Sequence, residues 1–273
     1  GPYAVGFTSF VLVDGSRPSL GANHPPGETP YPGRPVPLLV WYPADAPSGD
    51  QALYPLDPVY RRAPAAPSSL YERYGVDGAT QDPPVSRDAP FPLVVFSPGA
   101  GAAAAYHVSF AARLASHGFV VAVQQHFGSG VWPWEPRFSG AHDAIARPFD
   151  MSFALTALLS LGNSPGHPLG GALRPDQVAA AGWSLGGYTS WVLAGGDDLV
   201  CDTIVNPPAG TCVPSAPDPR FRAVVTLDGS SQFLLWHELA RITVPTLLLG
   251  REWSALAALA PAGGPSASWE TPF

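Results

Sequence analysis

The sequence predicts an α/β protein built on a mainly parallel, twisted sheet with helices on both faces. Three observations carry that prediction. Short, continuously apolar runs such as "FPLVVF", "FVVAV" and "VPTLLL" read as strands buried on both sides. Between them lie segments with helical spacing of apolar residues, so strands and helices alternate along the chain. One strand, "QVAAAG", runs straight into the turn "GWSLGG" and then into an apolar helix, placing Ser184 at the sharpest point of a strand-turn-helix unit.

In chain order, "VGFTSFVLV" and "VPLLVWYP" are rich in β-branched and aromatic residues, bounded by Gly and Pro, and read as a first hairpin. The segment Ala44 to Pro90 is rich in Pro and Tyr; a loop of that length inside a compact domain is usually functional, and it is expected to cover or flank the site. "FPLVVFSPGAG" is a buried strand ending in a Gly-rich turn, and "AAYHVSFAARLASHG" is a helix stopped by Gly118. "FVVAV" is the next strand. Met151, Leu155, Leu158 and Leu159 share one face of a helix beginning near Ala144. After the Ser184 unit, "FRAVVTL" reads as a strand, "SQFLLWHELARI" as a helix and "VPTLLL" as a strand. Ser184 then lies at the carboxyl end of a central strand, the edge where such sheets bind their ligands.

With 273 residues and no internal repeat, a single domain spanning 1–273 is expected. The net charge of -7 and the scattering of the 14 basic residues, all arginine, argue against a nucleic-acid partner. No apolar run approaches the roughly 20 residues of a membrane-spanning helix. Cys201 and Cys212 are the only cysteines and enclose "DTIVNPPAGT" without a histidine nearby. A disulfide between them is expected, and with it a secreted or periplasmic location. No cluster suggests a metal or an organic cofactor.

Five motifs, "VWYPA", "FPLVVFSPGAGA", "RLASHGFVVAV", "GWSLGG" and "VPTLLLG", occur in the order and spacing of the α/β-hydrolase fold. They resemble the branch holding platelet-activating-factor acetylhydrolases, dienelactone-hydrolase-like esterases and bacterial polyester hydrolases. The resemblance runs from about Val5 to Trp253. It implies a serine hydrolase of carboxylic esters acting through an acyl-enzyme on Ser184, with short-acyl esters, acetylated lipids or polyesters as substrates. The alternative is a non-catalytic member of the fold that binds a ligand or partner.

The chemistry needs a nucleophile, a base, a carboxylate to orient the base and two N–H donors for the oxyanion. Ser184 is the expected nucleophile. The Leu185 N–H, first in its helix, is one donor, and the resemblance puts the other at Ala100. Asp228 is favoured as the acid over Glu252, which follows "TLLLG". Trp183, beside the nucleophile, is expected to contact substrate; Trp132 and Trp134 are further candidates for an aromatic wall. His126 sits at the end of its strand, where it reads as a structural or a substrate-contacting residue. His237, inside an apparent apolar helix, is a poor fit for the base. No counterpart of the family's last strand is recognisable in "PAGGPSASWETPF", so the catalytic histidine is expected beyond Phe273.

Overall fold

The computed structural model describes residues 1–17, 32–47, 50–53, 75–129, 140–197, 215–229 and 234–250. Strands β1 (Ala4–Asp14) and β2 (Arg34–Ala44) pair antiparallel over their full length, from Ala4 against Ala44 to Asp14 against Arg34. They are followed by β3 (Gln51–Leu53), β4 (Gly75–Gln81), β5 (Phe91–Ser97), helix α1 (Val108–Ser116) and β6 (Val120–Gln124). Helix α2 (Gly140–Gly162), β7 (Leu173–Trp183), α3 (Leu185–Gly195), β8 (Ala223–Leu227), the short α4 (Trp236–Leu239) and β9 (Thr246–Leu249) complete the order.

Among the described residues nine strands form one sheet in the order β3-β4-β1-β2-β6-β5-β7-β8-β9. From β6 to β9 every neighbouring pair is parallel, so the carboxyl ends of five strands meet along one edge. The chain leaves β5 for β6 on one side and reaches β7 on the other. A crevice therefore opens between β5 and β7, where ligands of open α/β sheets bind.

Helices cover both faces, as the alternation predicts. On one face Met151, Ala154, Leu155 and Leu158 of α2 pack on Leu93, Val95, Val120 and Val178. On the other, Ala111 and Ala115 of α1 pack with Phe96, Val121 and Val123. A third cluster joins Tyr188, Trp191 and Val192 of α3 to Leu234 and Leu239. Helix α1 gives way to β6 at Gly118, whose φ of +94° a side chain would resist. Residues Asp143–Gly162 of α2 have the length and mean hydropathy, 1.2, of a membrane span, but their apolar stripe is core.

The described parts of the long segment after Ala44 add β3 and β4 to the sheet, at the edge beside β1; residues 54–74, on which the expected cover of the site falls, lie outside the described residues. One expectation changes. The helix read over 231–242 is, among described residues, the single turn α4. It opens where the Glu238 carboxylate accepts the Leu235 N–H at 2.7 Å. Beyond it, Ile242, Thr243, Val244 and Pro245 favour extended backbone and lead into β9.

Candidate active site

Ser184 joins β7 to α3 with φ 54° and ψ −119°, a conformation that costs a non-glycine residue free energy and needs its surroundings to enforce it. Those surroundings are visible. The Ser184 N–H donates to the Leu227 carbonyl of β8 at 3.0 Å, and its own carbonyl accepts from the N–H groups of Gly187 (2.9 Å) and Tyr188 (3.2 Å). Glycines leave the room. A Cβ on Gly186 would run into the carbonyls of Ser97 and Pro98, and one on Gly187 would stand 2.5 Å from Gly229 Cα. The elbow is thus wedged between the turns that follow β5 and β8.

Asp228 follows β8 directly, on the strand next to the one carrying Ser184, since Trp183 pairs with Leu227. Its φ is 50°, and its N–H donates to the Leu249 carbonyl at 2.6 Å. Both residues are half-buried. The hydroxyl of Ser184 has no hydrogen bond to any histidine among the described residues. His237 lies exposed on α4.

The turn after β5 faces the elbow. A Cβ on Gly99 would meet the Trp183 ring at 2.7 Å and Ser184 Cβ at 3.3 Å. Within this turn Gly101 N–H donates to Ser129 Oγ (3.1 Å), Ala102 N–H to the Gly99 carbonyl (3.2 Å) and Ala104 N–H to Gln125 Oε1 (2.8 Å). The Ala100 N–H has no acceptor among the described residues. Neither has that of Leu185, which as the first residue of α3 has no intrahelical partner, and the positive end of the helix dipole lies there.

Trp183 is 39% exposed, and the imidazole of His107 lies 6.0 Å from it and 4.6 Å from Phe96. Burial pushes His107 down to about 4, so this ring is neutral and adds to the aromatic surface beside Trp183; Tyr106, its neighbour in the chain, is exposed. Sequence reasoning missed His107 and Tyr106, although both follow the Gly-rich turn directly. Trp132, Trp134, Cys201, Cys212 and Glu252 lie outside the described residues.

His126 is buried just past the end of β6. It is 1% exposed; its Nε2 is 2.8 Å from Ser97 Oγ and its Nδ1 3.4 Å from Asp150 Oδ2. Its described contacts are to other buried side chains. Desolvation, helped by the nearby Arg147 charge, pushes the imidazole down to about 4. Asp150 is itself buried, yet Arg34 (2.5 and 2.6 Å) and Arg17 (2.7 Å) hold its carboxyl well below the usual range. This buried charged cluster beneath the site was also missed. Among the described residues no group of three or more His, Cys, Asp or Glu side chains is placed to hold a metal.

Strand order, elbow and the turn beside it define the class: the chain has an α/β-hydrolase fold. Comparison with known proteins agrees. Residues 70–130 match the family model of platelet-activating factor acetylhydrolase, isoform II. Among solved structures, of which 445 chains match, the ferulic acid esterase from Streptomyces cinnamoneus is similar with a TM-score of 0.53 at 22% identity. That likeness covers 92% of this chain and 66% of the esterase, so the chain spans just under two thirds of its relative. No curated protein matches. The fold and the family match together support the resemblance to the platelet-activating-factor acetylhydrolase and esterase branch.

Proposed function

We propose that the protein is a serine hydrolase of carboxylic esters. The observation that carries this reading is Ser184 itself: a serine held at φ 54° at the carboxyl end of β7, near the Ala100 and Leu185 N–H groups, which have no acceptors among the described residues. In this reading Ser184 Oγ attacks the ester carbonyl carbon while a base takes its proton. The N–H groups of Ala100 and Leu185 stabilise the oxyanion, and the carbon–oxygen bond to the alcohol breaks as the base returns the proton to the leaving group. Water then hydrolyses the acyl-enzyme by the same steps. Asp228 orients the base, which we assign to a histidine outside the described residues, because no described imidazole is bonded to Ser184. Trp183 forms a wall for substrate. Short-acyl esters, acetylated lipids and polyesters are the substrate classes of the reading, in a secreted or periplasmic setting.

The test is turnover of a chain-length series of p-nitrophenyl esters together with labelling by a fluorophosphonate. Wild type is expected to be active and to carry the label on Ser184, while Ser184→Ala stays folded and loses activity on the order of 10⁶-fold. Labelling at another residue, or activity in Ser184→Ala, overturns the assignment. A folded wild type that neither labels nor turns over any ester supports a non-catalytic binding role instead.

A further inference from the structure

Arg147 lies on the buried face of α2, fully excluded from solvent, and a buried cation is costly unless its charge is paired. Its charge is met by Asp143, one helical turn back, with Nη2 at 2.8 Å from Oδ2. Nη2 also donates to Ser129 Oγ at 2.7 Å, and Ser129 in turn donates to Asp143 at 3.0 Å. Nη1 donates to Ser97 Oγ at 3.5 Å, and Nε has no partner among the described residues. Nη1 also donates to the Pro98 carbonyl, and Nη2 to the Gly99 carbonyl at 3.3 Å. These are the two peptide units that precede Gly99 N–H's neighbour, Ala100, in the turn after β5.

In a planar trans peptide the carbonyl and the following N–H point in opposite directions. With the Pro98 and Gly99 carbonyls drawn inward to the guanidinium, the N–H groups of Gly99 and Ala100 must point away from it. The Pro98 carbonyl also lies against Gly186, but Gly99 itself borders the nucleophile, since a Cβ on it would stand 3.3 Å from Ser184 Cβ, so the Ala100 N–H that follows it is the donor of this turn next to the elbow. The N–H groups of Gly101, Ala102 and Ala104 are each consumed within the protein. The Ala100 N–H, whose peptide carbonyl Arg147 holds, has no acceptor among the described residues.

We propose that Arg147 is the positioning residue of the oxyanion-binding turn. Clamped by Asp143 and Ser129, its guanidinium holds the turn's carbonyls inward and keeps the Ala100 N–H aimed at the reacting carbonyl before substrate arrives. Such preorganised donors matter in the transition state, where charge develops on the carbonyl oxygen, and much less in the ground state. The proposal rests on the serine-esterase reading of Ser184.

The experiment compares a p-nitrophenyl ester with its thionoester, in the full-length protein. Sulfur is larger and a weaker hydrogen-bond acceptor than oxygen, so a thionoester gains little from the oxyanion donors. Arg147→Met is expected to lower kcat for the oxygen ester about 10²-fold, with KM little changed, and to lower thionoester turnover less than about tenfold. Arg147→Lys, which keeps the charge but not the fork of donors, should recover part of the loss. Ser129→Ala, which removes one clamp and leaves Arg147 in place, should move the oxygen-to-sulfur ratio the same way by a smaller factor. Should Arg147→Met fail to fold, the other two variants decide.

Equal loss of both substrates in folded variants, or no loss in either, overturns the proposal and leaves Arg147 a fold-stabilising residue. The ester reading fails differently: wild type would turn over neither substrate, or Ser184→Ala would keep both activities, and the positioning role would fall with it.

Discussion

Acidification from pH 7 to pH 5 should cost the fold about 2 kcal/mol through His126 alone. Burial and the Arg147 charge lower this imidazole from 6.5 to about 4. A histidine so depressed is protonated in the unfolded chain before it is in the folded one. Its contribution is complete above pH 6.5, declines as pH falls, and is gone below about 4. Each pH unit of that window is worth about 1.4 kcal/mol, which caps the effect at about 3 kcal/mol. Asp150 works with the same sign in a lower window: its carboxyl is depressed below its ordinary value, so its contribution is still present at pH 5 and is lost only in stronger acid. His107, also lowered but less buried, adds to the loss in the same window. The assay is urea unfolding at pH 7 and pH 5, with a titration of the His126 ring protons by NMR to separate it from His107. A urea midpoint that does not move, or a His126 ring titrating near pH 6.5, refutes the reasoning.

The elbow predicts a contrast between two glycines. Gly186→Ala drives a methyl into the Ser97 and Pro98 carbonyls, and should destabilise by about 3 kcal/mol or more. Gly15→Ala has nothing within 4 Å of the added methyl and should lie within about 0.5 kcal/mol of wild type; thermal melts of both check the pair, and equal melting temperatures would be the wrong result. Cys201 and Cys212 are expected to form a disulfide that contributes about 2–3 kcal/mol by restricting the unfolded chain. Thiol titration of the denatured, unreduced protein should find no free thiol, and two titratable thiols would rule the bond out.

The strands and the elbow were legible because each rests on a local pattern. "FPLVVF", "FVVAV" and "VPTLLL" are apolar throughout because parallel strands are buried on both faces. "GWSLGG" needs its glycines because the elbow threads between two other turns. Strands β3 and β4 were not legible. "GVDGATQ" has neither alternation nor a run of β-branched residues, and pairing with β1 supplies what local propensity does not. The helix read over 231–242 ends earlier, at Leu239, for a related reason: Ile242, Thr243 and Val244 continue the apolar pattern but are β-branched and precede Pro245, and they lead into β9.

The buried cluster shows where a periodicity argument stops. Asp143, Arg147 and Asp150 fall on the same face of α2 as Met151, Ala154, Leu155 and Leu158, the stripe that the spacing predicts to be core. A charged residue on such a stripe normally means that the stripe ends or that the side chain reaches out to water. Here it means that the partners are buried as well. Arg147 finds its acceptors in a turn 48 and 49 residues earlier in the chain, and Asp150 finds Arg34 at a separation of 116. No window around residue 147 contains those acceptors, so the residue types alone cannot say that a cation is affordable there. What the pattern does offer is a conflict: three charges on an apolar face, in a helix that must pack beneath the carboxyl ends of β5 and β6. Such a conflict resolves only if the charges meet one another or meet backbone that has a reason to be held, and in this protein both occur at the turn beside Ser184.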